Sequence, residues 1–222
     1  MTTIVVAKDP RSENQQIADG IRADLARRAI LAVNLISSPG SGKTTLLERA
    51  LPLLAKDLRL AVIEADAATR NDADRLEKLG IAVEAICTGV TSCHIAQPSA
   101  RKAFDNLPLD RLDLVVIENV GNLVCPAEED LGEDAKIAVL SVAEGEDKPL
   151  KYPLLFQEAT LAVVNKIDAT IALGADVDLM ERNIRAVNPR IEILRLSART
   201  GAGVPLFVDW IKDRLRRKRG EQ

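Results

Sequence analysis

The feature that most limits what this chain can become is Ser37-Ser38-Pro39-Gly40-Ser41-Gly42-Lys43-Thr44-Thr45. It follows an apolar run at 32–37 that reads as a strand, and it opens into a helical pattern that begins near Lys43. Gly40 and Gly42 let successive backbone N–H groups turn inward around phosphate oxygens. The helix beginning at Lys43 aims its positive end at the same point. The Lys43 ammonium suits β- and γ-phosphates, and the Thr44 hydroxyl suits Mg²⁺. Ser37 stands where the usual phosphate-loop pattern has its leading glycine, but the Gly-Lys-Thr end is intact. The segment therefore predicts nucleotide binding by Gly40, Ser41, Gly42, Lys43, Thr44 and Thr45.

The rest of the chain has the matching rhythm. Strands are expected at 32–37, 60–64, 81–86, 112–118, 136–141, 159–165 and 191–196, with helices beginning near Lys43, Asn71, His94, Asp176 and Val204. The strand runs are continuously Val/Ile/Leu/Ala, which suits a parallel sheet covered on both faces. The predicted fold is α/β, a P-loop NTPase sandwich with a mostly parallel central sheet flanked by helices. Residues 12–29 read as an amphipathic helix with Ile17, Ile21, Leu25 and Ala26 on one stripe. We expect an N-terminal helical extension at 1–30 and a nucleotide-binding domain at 31–222. With 222 residues and 2% aromatics, the core must be aliphatic. A net charge of -3 argues against nucleic acid as the main partner. The N-terminal stretch MTTIVVAKDPRSENQQ has no apolar run long enough for a signal peptide or membrane span, and the three cysteines cannot close a disulfide framework. A cytoplasmic protein with reduced thiols is expected. The basic stretch 214–219 reads as a solvated helix end favoured by the helix dipole.

Which base the site reads is signalled downstream. The strand at 159–165 ends in Asn165-Lys166-Ile167-Asp168, and the last strand ends in Ser197-Ala198-Arg199. The Asp168 carboxylate can accept from the N1–H and 2-amino group of guanine, a donor pair that adenine lacks. Lys166 can cover the base, Asn165 can brace the loop, and the Ser197-Ala198 turn can offer a backbone N–H to guanine O6. Between these motifs, Glu118-Asn119-Val120-Gly121 occupies the place of the switch motif Asp-x-x-Gly. Glu118 would hold the magnesium shell, and the Gly121 N–H would reach the γ-phosphate. Asn122 follows where Ras-type enzymes carry the water-orienting Gln, so slow intrinsic hydrolysis is expected. Asp66 after the second strand reads equally as a magnesium-site acid or as an N-terminal acid for the helix at Asn71.

Three further residues carry soft-metal chemistry. His94, the single histidine, is adjacent to Cys93, and Cys125 lies four residues beyond Gly121. Thiolates and imidazole suit zinc, nickel and copper rather than magnesium. Movement at the switch could therefore move a metal ligand. Free cysteines are also commonly small buried hydrophobes, and Cys87 at the end of the third strand reads as core.

Taken together, 34–47 (NLISSPGSGKTTLL), 117–128 (IENVGNLVCPAE), 130–133 (DLGE), 145–152 (GEDKPLKY) and 165–168 (NKID) resemble the nickel-incorporation GTPases of hydrogenase maturation, the HypB family of the SIMIBI-class P-loop GTPases. The serine-led loop and the Glu-x-x-Gly switch are normal for that family. The resemblance implies a GTP-hydrolysing metallochaperone with GTP-dependent dimerisation. It maps Ni²⁺ or Zn²⁺ ligands onto Cys93, His94 and Cys125, and Mg²⁺ contacts onto Thr44, Asp66 and Glu118. Lys43, Asp66 and Glu118 become the expected catalytic set. It also implies a HypA-type metallochaperone and a hydrogenase large-subunit precursor as partners. Two departures stand out: the segment 88–94 is one residue longer than usual before Cys93, and Ile95-Ala96-Gln97 differs from the common continuation. Competing readings are a urease-type or other nickel/cobalt-centre maturation GTPase, a P-loop kinase, and a nucleotide-regulated binding module with core thiols.

Overall fold

The computed structural model describes residues 10–89 and 92–221. The stretch through residue 9, and two residues of the segment before Cys93, lie outside the described residues. Strands β1 (Leu31–Ser37), β2 (Leu60–Asp66), β3 (Ala82–Cys87), β4 (Leu114–Gly121), β5 (Ala135–Ser141), β6 (Leu161–Asn165) and β7 (Glu192–Arg195) form one sheet. Their order is β3-β2-β4-β1-β5-β6-β7, with every pairing parallel. The helices are α1 (Pro10–Arg27), α2 (Lys43–Leu54), α3 (Asn71–Glu77), α4 (Gln97–Asn106), α5 (Cys125–Glu128), α6 (Lys148–Lys151), α7 (Pro153–Glu158), α8 (Thr170–Leu173), α9 (Val177–Val187) and α10 (Val204–Arg219).

Alternation along central β1 assigns the layers. Leu31, Val33 and Leu35 point to one face, where they join Leu46, Leu47 and Leu51 of α2 and Phe207 and Ile211 of α10. Ala32 points the other way, into a cluster with Ile21 and Leu25 of α1 and Phe104 of α4. Ile36 meets Phe156 of α7 and Met180 and Ile184 of α9 on that same side. The inner strands are buried on both faces, as their unbroken apolar runs require. Strands β3 and β7 depart from that expectation, because among the described residues each has a neighbour on one edge only and keeps partly exposed side chains. Cys87, expected in the core, is exposed at the end of β3 for this reason.

Several expected boundaries move for local reasons. The buried stripe of α1 is Ala18, Ile21 and Leu25 with Ile17 half-buried; Ala26 is exposed, one residue and about 100° past Leu25. The helix expected near His94 begins at Gln97, where Pro98 suits the first turn, so His94 stands in the preceding loop. The helix expected at Asp176 begins one residue later, with the Asp176 carboxylate as its N-cap, accepting from the Leu179 N–H at 2.8 Å. Strand β4 runs on to Gly121 instead of ending at Glu118, since Asn119 and Val120 are buried as well. Helices α5 to α8 have no counterpart among the expected elements; at four to six residues they are too short to show a period.

The basic end of α10 is more than a solvated tip. Arg219 reaches Asp113 at 2.5 Å, Lys218 reaches Asp134 at 2.6 Å, and Arg214 reaches Glu192 at 3.1 Å while lying over the Trp210 ring. These pairs fasten the helix end to the bottom edge of the sheet.

Candidate nucleotide and metal site

At the carboxyl end of β1 the chain turns through the loop into α2. Gly42 has φ +98 and is packed so closely that an added Cβ would stand 2.5 Å from Asn165 Nδ2. Only glycine meets both demands. Lys43 is buried, its Nζ donating to Ser37 Oγ at 2.9 Å, and burial pulls its pKa down. The serine that replaces the usual glycine thus holds the lysine over the loop. Ser41 Oγ lies 2.9 Å from the Ser38 carbonyl and 2.6 Å from Glu144 Oε1, both acceptors for its hydroxyl. Glu144 also caps the end of β5, accepting from the Ser141 N–H at 2.8 Å. It is a supporting residue for which the sequence carries no motif.

Thr44 and Glu118 meet as their motifs require. Thr44 Oγ1 donates to Glu118 Oε1 at 2.7 Å, while Glu118 Oε2 is buried with no hydrogen-bond partner among the described residues. A buried carboxylate oxygen without a donor is costly, and it marks where a cation fits. Burial pushes the Glu118 pKa up to about 7, against the pull of Lys43 and the Thr44 hydrogen bond. Glu64, on neighbouring β2, is likewise raised to about 8 by burial and then by Glu118. Glu64 is not among the expected site residues, because within its strand it reads as an ordinary position. Asp66, at the end of β2, lines the same cleft, yet its carboxylate accepts from the Ala67 N–H at 2.5 Å and from the Thr69 hydroxyl. These bonds, led by Thr69, lower its pKa. It does not cap α3, whose N-cap residue is Arg70.

The cleft that collects these groups has a volume of about 630 Å³ and is lined by Gly40, Gly42, Lys43, Thr44, Thr45, Glu64, Asp66, Glu118, Gly121, Asn122 and Cys93, among others. Gly121 lies so close to the loop that a Cβ there would meet Pro39 at 2.9 Å. The switch strand and the phosphate loop therefore touch through backbone.

A second, more apolar pocket of about 490 Å³ adjoins Gly42 and Thr45 and contains Asn165, Lys166, Asp168, Ala198 and Arg199. Asn165 is its brace: Nδ2 donates to the Ser41 carbonyl at 2.8 Å, and Oδ1 accepts from Lys166 N at 2.7 Å and Ala198 N at 2.9 Å. The Ala198 N–H therefore binds Asn165 here, whereas the motif reading offered a turn N–H to guanine O6. Lys166 lies across the pocket with Nζ on the Gly40 carbonyl at 2.6 Å. Asp168 accepts from the Ser197 hydroxyl on one oxygen and from Arg199 Nη2 at 2.6 Å on the other, and these bonds, Ser197 first, hold its pKa down. Arg199 is an exposed partner, so this ion pair is cheap to break.

The thiol–imidazole group assembles on the far rim of the phosphate cleft. Cys93, His94 and Cys125 place one donor atom each within 4.8 Å of one another, despite the longer segment before Cys93. Cys93 Sγ lies 2.8 Å from Cys125 Sγ and 3.6 Å from His94 Nδ1. The neighbouring Cys125 is the main reason the Cys93 thiol is raised. Two sulfurs and an imidazole gathered this closely suit a soft divalent ion and leave one position for another donor. Asn122 links this group to the switch: its Nδ2 donates to the Cys93 carbonyl at 3.0 Å, and its Oδ1 accepts from the Val124 N–H at 3.0 Å.

The chain is also similar to known proteins. Residues 31–195 match the family model described as "CobW/HypB/UreG, nucleotide-binding domain". The chain is 47% identical over 204 residues to the hydrogenase maturation factor HypB of Escherichia coli (strain K12), covering 92% of the chain and 70% of that relative. It is 38% identical to the probable hydrogenase maturation factor HypB of Methanocaldococcus jannaschii, covering 93% of each. Among solved structures, HypB from Helicobacter pylori in complex with nickel superposes with a TM-score of 0.86 at 35% identity, covering 92% of this chain and 96% of that one.

Proposed function

Because the chain belongs to the HypB branch of the CobW/HypB/UreG nucleotide-binding family, we propose that it is a GTP-hydrolysing metallochaperone that carries nickel for insertion during hydrogenase maturation. The observation that carries this reading is one continuous piece of chain, from Glu118 in the magnesium corner, through Gly121 against the phosphate loop, to Asn122 on Cys93 and Cys125 beside it. In this reading the β- and γ-phosphates lie along the loop at Gly40 to Thr45, and Lys43 exchanges Ser37 for phosphate oxygen. Thr44, Glu118 and Asp66 hold Mg²⁺, whose part is to offset negative charge on the phosphate oxygens. The buried, unpartnered Glu118 Oε2 supports that role. Asp168 reads guanine, with Lys166 over the base and Asn165, Ser197 and Ala198 shaping the corner.

Hydrolysis is slow in this proposal, below about 1 s⁻¹, because the Asn122 amide already bonds Cys93 and Val124 instead of orienting a water. Nickel is cargo, with Cys93, His94 and Cys125 as its ligands, and zinc fits the same donors. The open fourth position leaves room for a ligand from a second subunit or water. A GTP-dependent homodimer is further supported by Ile171, 96% exposed, and Leu173 on α8 beside the base pocket. A HypA-type metallochaperone and a hydrogenase large-subunit precursor complete the proposed route, set in the cytoplasm. Among the described residues, no helix is long and apolar enough to cross a membrane.

The test replaces Cys93 and Cys125 with Ala and measures Ni²⁺ and Zn²⁺ stoichiometry beside GTP-versus-ATP competition. The proposal expects loss of the metal, unchanged GTP affinity and discrimination against ATP. Unchanged stoichiometry in a folded double variant would remove the metallochaperone reading, and equal affinity for ATP would remove the GTPase.

A further inference from the structure

A carboxylate that the functional reading leaves unused stands behind the histidine. His94 turns Nδ1 toward Cys93 Sγ at 3.6 Å and the other ring nitrogen, Nε2, toward Glu129 Oε1 at 3.6 Å. These are opposite sides of one ring. If Nδ1 and the two sulfurs face a metal, Nε2 faces the carboxylate. The second oxygen of Glu129 accepts from Gln97 Nε2, and the same amide donates to the Asp130 carbonyl at 3.2 Å. Gln97 is itself only 4% exposed, so this grip is held from inside the protein. Gln97 opens α4, just after the loop of Cys93 and His94, while Glu129 directly follows α5, which begins with Cys125. The Gln97–Glu129 contact therefore ties together the two segments that carry the three donors.

A neutral imidazole binds a metal through one nitrogen and keeps its proton on the other. An acceptor fixed at the protonated nitrogen selects the tautomer, sets the ring angle and raises the basicity of the ligating atom. At 3.6 Å the Nε2–Glu129 contact lies just outside hydrogen-bond range, and a small rotation of the ring closes it. Glu129 is not itself among the grouped donors, and it meets the ring nitrogen other than the one that faces Cys93.

We propose that Glu129, gripped by Gln97, is the positioning residue that makes His94 bind the soft metal ion through Nδ1. This rests on the metal reading of Cys93, His94 and Cys125 given above. An ion pair between two surface groups would be worth little and would not choose a ring nitrogen, so the choice of nitrogen is the diagnostic readout. His94 is the only histidine in the chain, which makes it readable without assignment.

The experiment uses the full chain, with Ni²⁺ alone titrated against a chromophoric chelator, and with ¹⁵N-labelled protein loaded with Zn²⁺ to follow the imidazole nitrogens by NMR. The proteins are the parent, Glu129→Ala, Glu129→Gln and the Cys93→Ala/Cys125→Ala pair. The parent should show metal on Nδ1 and a proton on Nε2. Glu129→Ala should bind Ni²⁺ about 10- to 100-fold more weakly and show a mixture of Nδ1 and Nε2 ligation. Glu129→Gln, which keeps a carbonyl acceptor, should recover most of the Nδ1 preference. GTP affinity should be unchanged in both Glu129 variants, which also shows that they fold. Ligation through Nε2 in the parent, or Glu129→Ala with parental affinity and parental Nδ1 ligation, overturns the proposal. If the double cysteine variant keeps its metal, the underlying metal reading fails instead.

Discussion

Asp168 is the side chain on which the proposed reading of the base rests. Its carboxylate is shared by Ser197 and Arg199 and sits at the edge of a predominantly apolar pocket. Replacing it with Ala leaves a guanine edge with no acceptor, so the preference for GTP over ATP should fall by roughly 10⁴-fold or more. Competition binding with the two triphosphates measures this directly; an Asp168→Ala protein that still prefers GTP as strongly as the parent would place base recognition elsewhere. Residues of this kind are legible because their chemistry needs a fixed spelling: Gly-Lys-Thr, Asn-Lys-x-Asp and Glu-x-x-Gly each name a bond. Residues that act by burial are not. Glu64, Glu144 and Glu129 carry no motif, and their roles exist only once β2, β5 and the end of α5 lie beside the loop. Cys87 fails in the opposite direction, since an apolar strand does not reveal that it lies at a sheet edge.

At the scale of elements, β4 and α10 show what pattern alone leaves out. The pattern finds β4 but ends it at Glu118. Its last turn inward is set by Asn119, whose Nδ2 donates to Asn34 Oδ1 at 3.3 Å, while Asn34 donates to buried Glu133 at 3.1 Å. No period reports such a chain of polar groups. The start of β4 is held by Asp113, which accepts from the backbone N–H of Arg59 at 2.9 Å, from the Arg59 guanidinium at 2.8 Å, and from Arg219 of α10 at 2.5 Å. These donors, Arg59 first, hold its carboxyl well below the usual carboxylate range. The folded pKa is thus lower than the unfolded one, so the contribution is full above the ordinary Asp value, about pH 4, and fades as pH falls below it. Asp113→Asn should cost about 2 kcal/mol at neutral pH, the range of hydrogen bonds to a charged group. The gap between parent and variant should narrow below pH 4. Urea unfolding at pH 7 and pH 3 checks both; a gap that widens in acid contradicts the assignment.

Across the whole molecule, the sheet brings the proposed phosphate, base and metal sites to one edge. The parallel βα order places the ends of β1, β2, β4 and β6 together, and this arrangement follows from the alternation of apolar runs and helical stretches. Helix α1 is part of the same body, since Ile21 and Leu25 share a cluster with Ile63, Val115 and Phe104. Leu25→Ala should therefore destabilise the entire protein by about 2–5 kcal/mol; thermal unfolding that instead shows α1 melting alone, with the nucleotide site intact, would make it a separate unit.

In the proposed function, coupling between the nucleotide and the thiols would run through Asn122 and the few residues on either side of it. Two sites are coupled when the ligand of one changes the affinity for the ligand of the other. Ni²⁺ titration with GDP and with a non-hydrolysable GTP analogue, on the parent and on Asn122→Ala, measures that directly. Nickel affinity should differ between the two nucleotides in the parent by at least about 5-fold, the lower end of ordinary coupling. The difference should shrink or vanish in Asn122→Ala. Equal nickel affinity with both nucleotides in the parent would contradict this coupling.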